Sequence, residues 1–131
     1  MKSYLLLLLC LSLLSCKNKT DDSIEKLKLS EVEIKKNIFD FGSINIGDTV
    51  NHSFIITNIS ERKFIIDTVG TSCGCTMTSF TKDSVERYHS AKINVTFIAE
   101  KNSSGKISKS IVVSDNSSKG FHTFYLKGKV K

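Results

Sequence analysis

Ala91-Lys92-Ile93-Asn94-Val95-Thr96-Phe97 decides the fold of this chain. Ala91, Ile93, Val95 and Phe97 share one parity, and Lys92, Asn94 and Thr96 share the other. Successive side chains on a β-strand point to opposite faces, so a period of two describes a strand with one face in a core and the other in water. Working outward, Val50, His52, Phe54 and Ile56 repeat the pattern against Asn51, Ser53 and Thr57. Val32 and Ile34 alternate with charged residues, and Ile38-Phe39-Asp40-Phe41-Gly42 leads to a turn near Gly47-Asp48. Asn58 to Lys63 reads as a turn into a strand from Phe64 to Val69. Downstream, Glu100 to Gly105 turns into Ile107–Ser114, and Asp115 to Gly120 turns into Phe121–Val130. Phe124, Leu126 and Val130 fall on the inner face of that last strand, where Gly128 permits a close approach.

Short strands separated by turns, without a long amphipathic helix, predict an all-β chain: an immunoglobulin-like β-sandwich of about seven strands over residues 31–131. Neither tryptophan nor a widely spaced cysteine pair is present to staple two sheets. Packing of the eight phenylalanines with the many isoleucines and valines has to supply the core.

The first thirty residues have a different character. Met1-Lys2 precedes a run from Tyr4 to Leu14 that is apolar except for Ser12. One positive charge followed by a short apolar stretch reads as a secretory signal peptide, residues 1–15. Such a run is too short for a hydrocarbon layer of roughly 30 Å. It ends Leu13-Leu14-Ser15-Cys16, which resembles the bacterial lipoprotein signal. The resemblance implies cleavage before Cys16 and acyl chains of the palmitate kind on that cysteine, an anchor stronger than a single chain. Residues 16–30, polar and charged, then form a tether. The expected location is the bacterial outer membrane, facing either the periplasm or the surface.

Cleavage removes one lysine and no acid, lowering the formal net charge from +6 to +5. The lysines are scattered, with no run of five or more like charges, so the balance reads as a solvated surface near anionic headgroups and not as a nucleic-acid site.

Several blocks, in order, resemble the bacterial domain of unknown function 1573. They are Phe39-Asp40-Phe41-Gly42 with Ile44 and Gly47, then His52-Ser53-Phe54-Ile55-Ile56-Thr57-Asn58, Thr71-Ser72-Cys73-Gly74-Cys75-Thr76, Ile93-Asn94-Val95-Thr96-Phe97 and Leu126-Lys127-Gly128-Lys129-Val130. That family is common in Bacteroidetes envelope lipoproteins and is similar to immunoglobulin-like domains of the sperm-protein and Hydin type. The resemblance implies the sandwich fold and no established activity. The chain departs from the family in having no proline. Met77-Thr78 stands where a proline usually follows the second cysteine, and Tyr88-His89-Ser90 replaces a proline-glycine turn.

The chemistry-bearing residues are Cys73 and Cys75, since Cys10 leaves with the signal peptide. Four fates are open to the pair. Residues i and i+2 of an extended strand have Cα atoms roughly 6.5–7 Å apart, so a disulfide needs a kink, which Gly74 makes easy. Such a small ring is strained and exchangeable. Two thiolates also suit Cu(I) or Zn(II), with His52, His89 or His122 completing the set if the fold brings them near. Thiol–disulfide catalysis is a third fate, though the motif is not the C-x-x-C of a helix start. Buried inert thiols are the fourth.

No phosphate loop, G-x-S-x-G or HExxH occurs, and Asp40, Asp48, Asp67 and Asp83 are scattered. Asp22-Ser23-Ile24, Asp48-Thr49-Val50, Asp67-Thr68-Val69 and Asp83-Ser84-Val85 resemble a short bacterial O-glycosylation signal. The sequence therefore predicts a non-catalytic envelope lipoprotein, held to the membrane through Cys16, with a domain that contacts another envelope protein. It points to no cofactor, nucleic acid or small-molecule substrate. The alternative is a thiol-redox or copper/zinc-binding protein using Cys73 and Cys75.

Overall fold

The computed structural model describes residues 29–131. The expected signal peptide, Cys16 and the tether as far as residue 28 lie outside the described residues. The strands are β1 (Val32–Glu33), β2 (Ile38–Ile44), β3 (Thr49–Asn58), β4 (Ile66–Thr71), β5 (Thr76–Phe80), β6 (Ser90–Ile98), β7 (Gly105–Asp115) and β8 (Phe121–Val130). They form two four-stranded sheets, ordered β1-β3-β6-β5 and β2-β8-β7-β4. Every pairing is antiparallel except β2 with β8.

The parity read from the sequence is the parity of the core. Ala91, Ile93, Val95 and Phe97 of β6 are buried, as are Phe54 and Ile56 of β3 beside them. Ile111 and Val113 of β7 and Phe124, Leu126 and Val130 of β8 supply the facing layer. Burying an aliphatic or aromatic side chain contributes about 1.5–3 kcal/mol each, so these faces hold the sheets together without an inter-sheet staple. Gly128 has the packing role expected of it. A Cβ there would lie 2.2 Å from Cε2 of Phe41, so the glycine is what lets the β2 aromatic lie across β8.

Three details differ from the sequence reading. Phe64 does not open a strand; it makes a two-way backbone bridge with Val85 at 2.9 and 2.8 Å, and β4 starts at Ile66. The physical reason is that Asn116 holds this stretch by its side chain, accepting from the Ile65 N–H at 2.8 Å and donating to the Lys63 carbonyl at 2.9 Å. The second detail is β5, which starts directly after the cysteines and contains Met77 and Thr78, so the position where the family's proline is expected lies within a strand paired to β6. Third, Tyr88 takes a left-handed conformation (φ 63°) just before β6. It occupies the place where a glycine would carry no Cβ penalty.

Candidate functional site

The Cys-Gly-Cys stretch is the corner where the chain passes from one sheet to the other. β4 is an edge of the second sheet and β5 an edge of the first, and residues 72–75 join them. Local hydrogen bonds shape the corner. Ser72 continues the β4–β7 ladder by donating its N–H to the Ser110 carbonyl (3.1 Å) and accepting the Ser110 N–H on Oγ (3.1 Å). Thr71 Oγ1 donates to the Cys73 carbonyl at 3.1 Å, and the Cys75 carbonyl accepts from the Ile98 N–H at 3.2 Å. Cys73 and Cys75 are joined as a disulfide with their Cα atoms 5.4 Å apart. That spacing is shorter than the extended one because the chain is turning, with the Thr76 N–H bonded to the Cys73 carbonyl at 3.3 Å. Both cysteines are half-buried, and Gly74 is exposed. They open on a cleft of about 460 Å³ that also has Glu100, Ser103 and Lys109 in its wall. Lys109 shares the parity of Ile107 and Ile111 on β7 and lines the same cleft as the two cysteines.

The histidines that could have completed a metal site are elsewhere. His52 lies in β3, stacked on Phe39 with ring centroids 3.8 Å apart and edge-on to Phe54 at 4.6 Å. Burial holds its pKa below the ordinary 6.5. His89 is exposed, its Nδ1 3.1 Å from the Arg87 carbonyl. His122 belongs to the β7–β8 hairpin. Among the described residues no group of three or more His, Cys, Asp or Glu side chains is placed to hold a metal ion.

His122 does form a cluster that sequence reading missed. Its Nε2 lies 3.1 Å from Ser117 Oγ and 3.5 Å from Asp115 Oδ2, and all three residues are buried. A nucleophile relay needs the carboxylate on one ring nitrogen and the hydroxyl on the other. Here both approach the same nitrogen. Asp115 Oδ1 also accepts the Ser117 N–H at 2.9 Å, so the cluster locks the hairpin turn. Burial lowers the His122 pKa, with Asp115 opposing and Lys119 reinforcing that shift. The signal was an aspartate two residues before a serine at a hairpin tip, a side-chain-to-backbone turn that does not stand out from ordinary polar loops.

The opposite side of the sandwich is less closed. β1 meets β3 only at Val32–Asn58 and Glu33–Thr57, after which the chain bends across to the other sheet to become β2. The rest of β3 is therefore an edge. A groove of about 400 Å³ runs beside it, with Lys35, Lys36, His52, Phe54 and Ile55 among its lining. Among the described residues no helix is long and apolar enough to cross a membrane.

Two stacked antiparallel-rich sheets with this crossover pattern define an immunoglobulin-like, PapD-like β-sandwich. The ASH/PapD-like domain 7 of human CEP192 has a similar fold, with a TM-score of 0.60 at 15% identity over 79% of this chain and 87% of that one. The chain belongs to the family described as protein of unknown function DUF1573, whose model matches residues 32–130, the whole span from β1 to the end of β8. A protein of unknown function from Porphyromonas gingivalis W83 is also similar in structure, with a TM-score of 0.68 at 13% identity over 78% of this chain and 47% of that one. This chain thus spans about half the length of that protein. A family 123 glycoside hydrolase from Clostridium perfringens contains a similar fold (TM-score 0.60, 12% identity, 79% of this chain and 27% of that one). At these identities the likeness is one of fold alone. No curated protein is matched by the sequence.

Proposed function

We propose that this chain is a lipid-anchored envelope lipoprotein whose sandwich works by binding another protein and not by catalysis. Residues 1–15 serve as the signal peptide, residues 16–30 as lipidated Cys16 with its tether, and residues 31–131 as the binding module at the bacterial outer membrane. The last tether residue, Ser30, is already docked on the module, buried and donating its hydroxyl to the Asn116 carbonyl at 3.0 Å. The observation that carries the reading is the Leu13-Leu14-Ser15-Cys16 ending of a short apolar run, at the head of a domain that leaves a strand edge unpaired. The common-nitrogen arrangement of Asp115, Ser117 and His122 supports a structural role for the polar set that most resembles an active site.

Two measurements test it. Replacing Cys16 by Ser should move the full-length protein from the membrane to the soluble fraction and remove the acyl mass; retention of both sinks the anchor. Cross-linking in the intact envelope should then give a discrete protein adduct, and failure to form any adduct sinks the binding role.

A further inference from the structure

We infer that the outer edge of β3 accepts an extended peptide segment as an added strand, one with apolar residues at one parity and acidic residues at the other. This deepens the binding role just proposed and rests on it.

Backbone bookkeeping locates the edge. At one end of β3 the Asp48 carbonyl accepts from the Ala99 N–H at 2.9 Å, and at the other the Asn58 N–H donates to the His89 carbonyl at 3.0 Å. Between them β3 pairs with β6 in unbroken register from Thr49 to Thr57. Both groups of one residue in an antiparallel strand point to the same side, and the side alternates. Even-numbered residues therefore bond β6, while the N–H and C=O of Thr49, Asn51, Ser53 and Ile55 point away from it. Among the described residues they meet no strand, because β1 stops at Glu33 opposite Thr57. An unpaired row of this kind is a template for strand addition, with main-chain bonds giving affinity and side-chain pockets giving selectivity.

The groove beside this edge sets the partner's chemistry. His52 lies on its inner wall, stacked on Phe39 and edge-on to the buried Phe54, and its half-buried ring presents an apolar surface between the sheets. Side chains of one parity on an added strand would enter there. Lys35 and Lys36 line the same groove against a single acid, Glu33. Lysines at an edge discourage indiscriminate pairing, and here they favour acidic residues on the incoming strand. A second copy suits the edge less well: two-fold pairing of β3 with itself would place two lysine pairs along one seam.

The probe is a fluorescent nine-residue peptide of alternating valine and glutamate, titrated onto the full-length protein in detergent. The expected result is saturable binding, with hydrogen-exchange protection at the amides of Asn51, Ser53 and Ile55. Replacing glutamate by lysine in the peptide should weaken binding at least tenfold, as should the double change Lys35→Glu and Lys36→Glu. N-methylation of one parity of the peptide should abolish binding while the other parity spares it, because only one edge of the probe faces β3. Ser53→Pro should abolish it too, and the methylated probes decide the matter if that variant does not fold. Equal binding of both methylated forms, equal binding of the lysine peptide, or unprotected amides would overturn the inference. So would a doubled solution mass that Ser53→Pro reverses, since the edge would then serve a second copy. If the envelope cross-link survives Ser53→Pro in a folded protein, the binding role stands and this edge is not its seat.

Discussion

The two sides of the sandwich solve the same problem in opposite ways. On one side β4 and β5 are both sheet edges, and the chain joins them directly through a corner that is hydrogen-bonded at Thr71, Ser72 and Cys75 and closed by the Cys73–Cys75 disulfide. On the other side the crossover from β1 to β2 takes the chain away from β3 after two residue pairs. What fills the opening there is side-chain packing, chiefly Phe39 on His52, while the outer edge of β3 from Thr49 to Ile55 meets no strand among the described residues. The side with conspicuous chemistry is the tightly built one. The side with ordinary residues is the one with unused bonding capacity. Cysteines draw attention because they are reactive, but backbone groups left without partners are the larger reservoir of binding free energy in a β-sandwich.

The sharpest way to break this comparison is at Asn58, which anchors the open side where β1 meets β3. Its amide is fully buried, donating to the carbonyls of Arg62 (2.6 Å) and Val85 (2.9 Å) and accepting from the N–H (3.0 Å) and hydroxyl (2.8 Å) of Ser60. Asn58→Ala removes these bonds and leaves buried polar groups short of partners, for a loss of about 3 kcal/mol. Urea unfolding should show the midpoint falling with little change in slope. A loss below about 1 kcal/mol would mean that packing alone holds the open side. On the closed side, Cys75→Ser removes a ring that spans a sequence separation of only 2. Loop-closure entropy for so short a ring is small, about 1.5 kcal/mol at most, and the corner keeps its backbone bonds to β6 and β7. Cys75→Ser should therefore cost less than Asn58→Ala in the same urea experiment. If it costs more, the corner depends on its sulfurs and not on its hydrogen bonds. Titrating Cu(I) and Zn(II) onto the reduced wild type and Cys75→Ser tests the metal alternative: stoichiometric uptake lost in the variant would favour it.

How much of this was legible beforehand follows the range of each interaction. The alternation in Ala91–Phe97 and Val50–Ile56 is local and survives folding unchanged, so the core faces of β3, β6 and β8 were readable residue by residue. The place of Gly128 was readable for the same reason, though not that Phe41 is the ring lying against it. The start of β4 was not, because Asn116 decides it from 51 residues away by taking the Ile65 N–H. Nothing in Phe64-Ile65-Ile66 itself shows that competition. The candidate site divides in the same way. Cys73 and Cys75 were visible as a pair, but the corner they close exists only because β4 and β5 belong to different sheets. The free edge of β3 was invisible, since it depends on where β1 stops, and Val32-Glu33-Ile34-Lys35 carries no local signal for that break.

The smallest expected effect concerns pH and probes the open side through two histidines, since the hairpin ring of His122 shares a cleft with Val32, Ile34 and Asn37 of the β1–β2 crossover. His52 on the open side and His122 in the hairpin are both held below the ordinary pKa of 6.5, chiefly by burial. An unfolded chain binds protons on these rings at a higher pH than the folded one does. Between the folded and unfolded values the unfolded state therefore carries the extra proton, and stability rises with pH across that window. The contribution is complete above about pH 6.5 and is lost as pH falls below it. Thermal melts should show the midpoint declining from pH 7.5 to pH 5.5, before most carboxylates titrate. His52→Phe, which keeps a flat ring against Phe39, should flatten that decline in part. His122→Gln, which keeps a polar partner for Ser117, should remove another part. If His52→Phe leaves the profile unchanged while His122→Gln abolishes it, the stacked ring on the open side stays solvated enough to protonate without cost. The groove beside β3 would then be wetter than the stacking of Phe39 on His52 implies, and the apolar half of the strand-acceptor surface would be smaller by that ring.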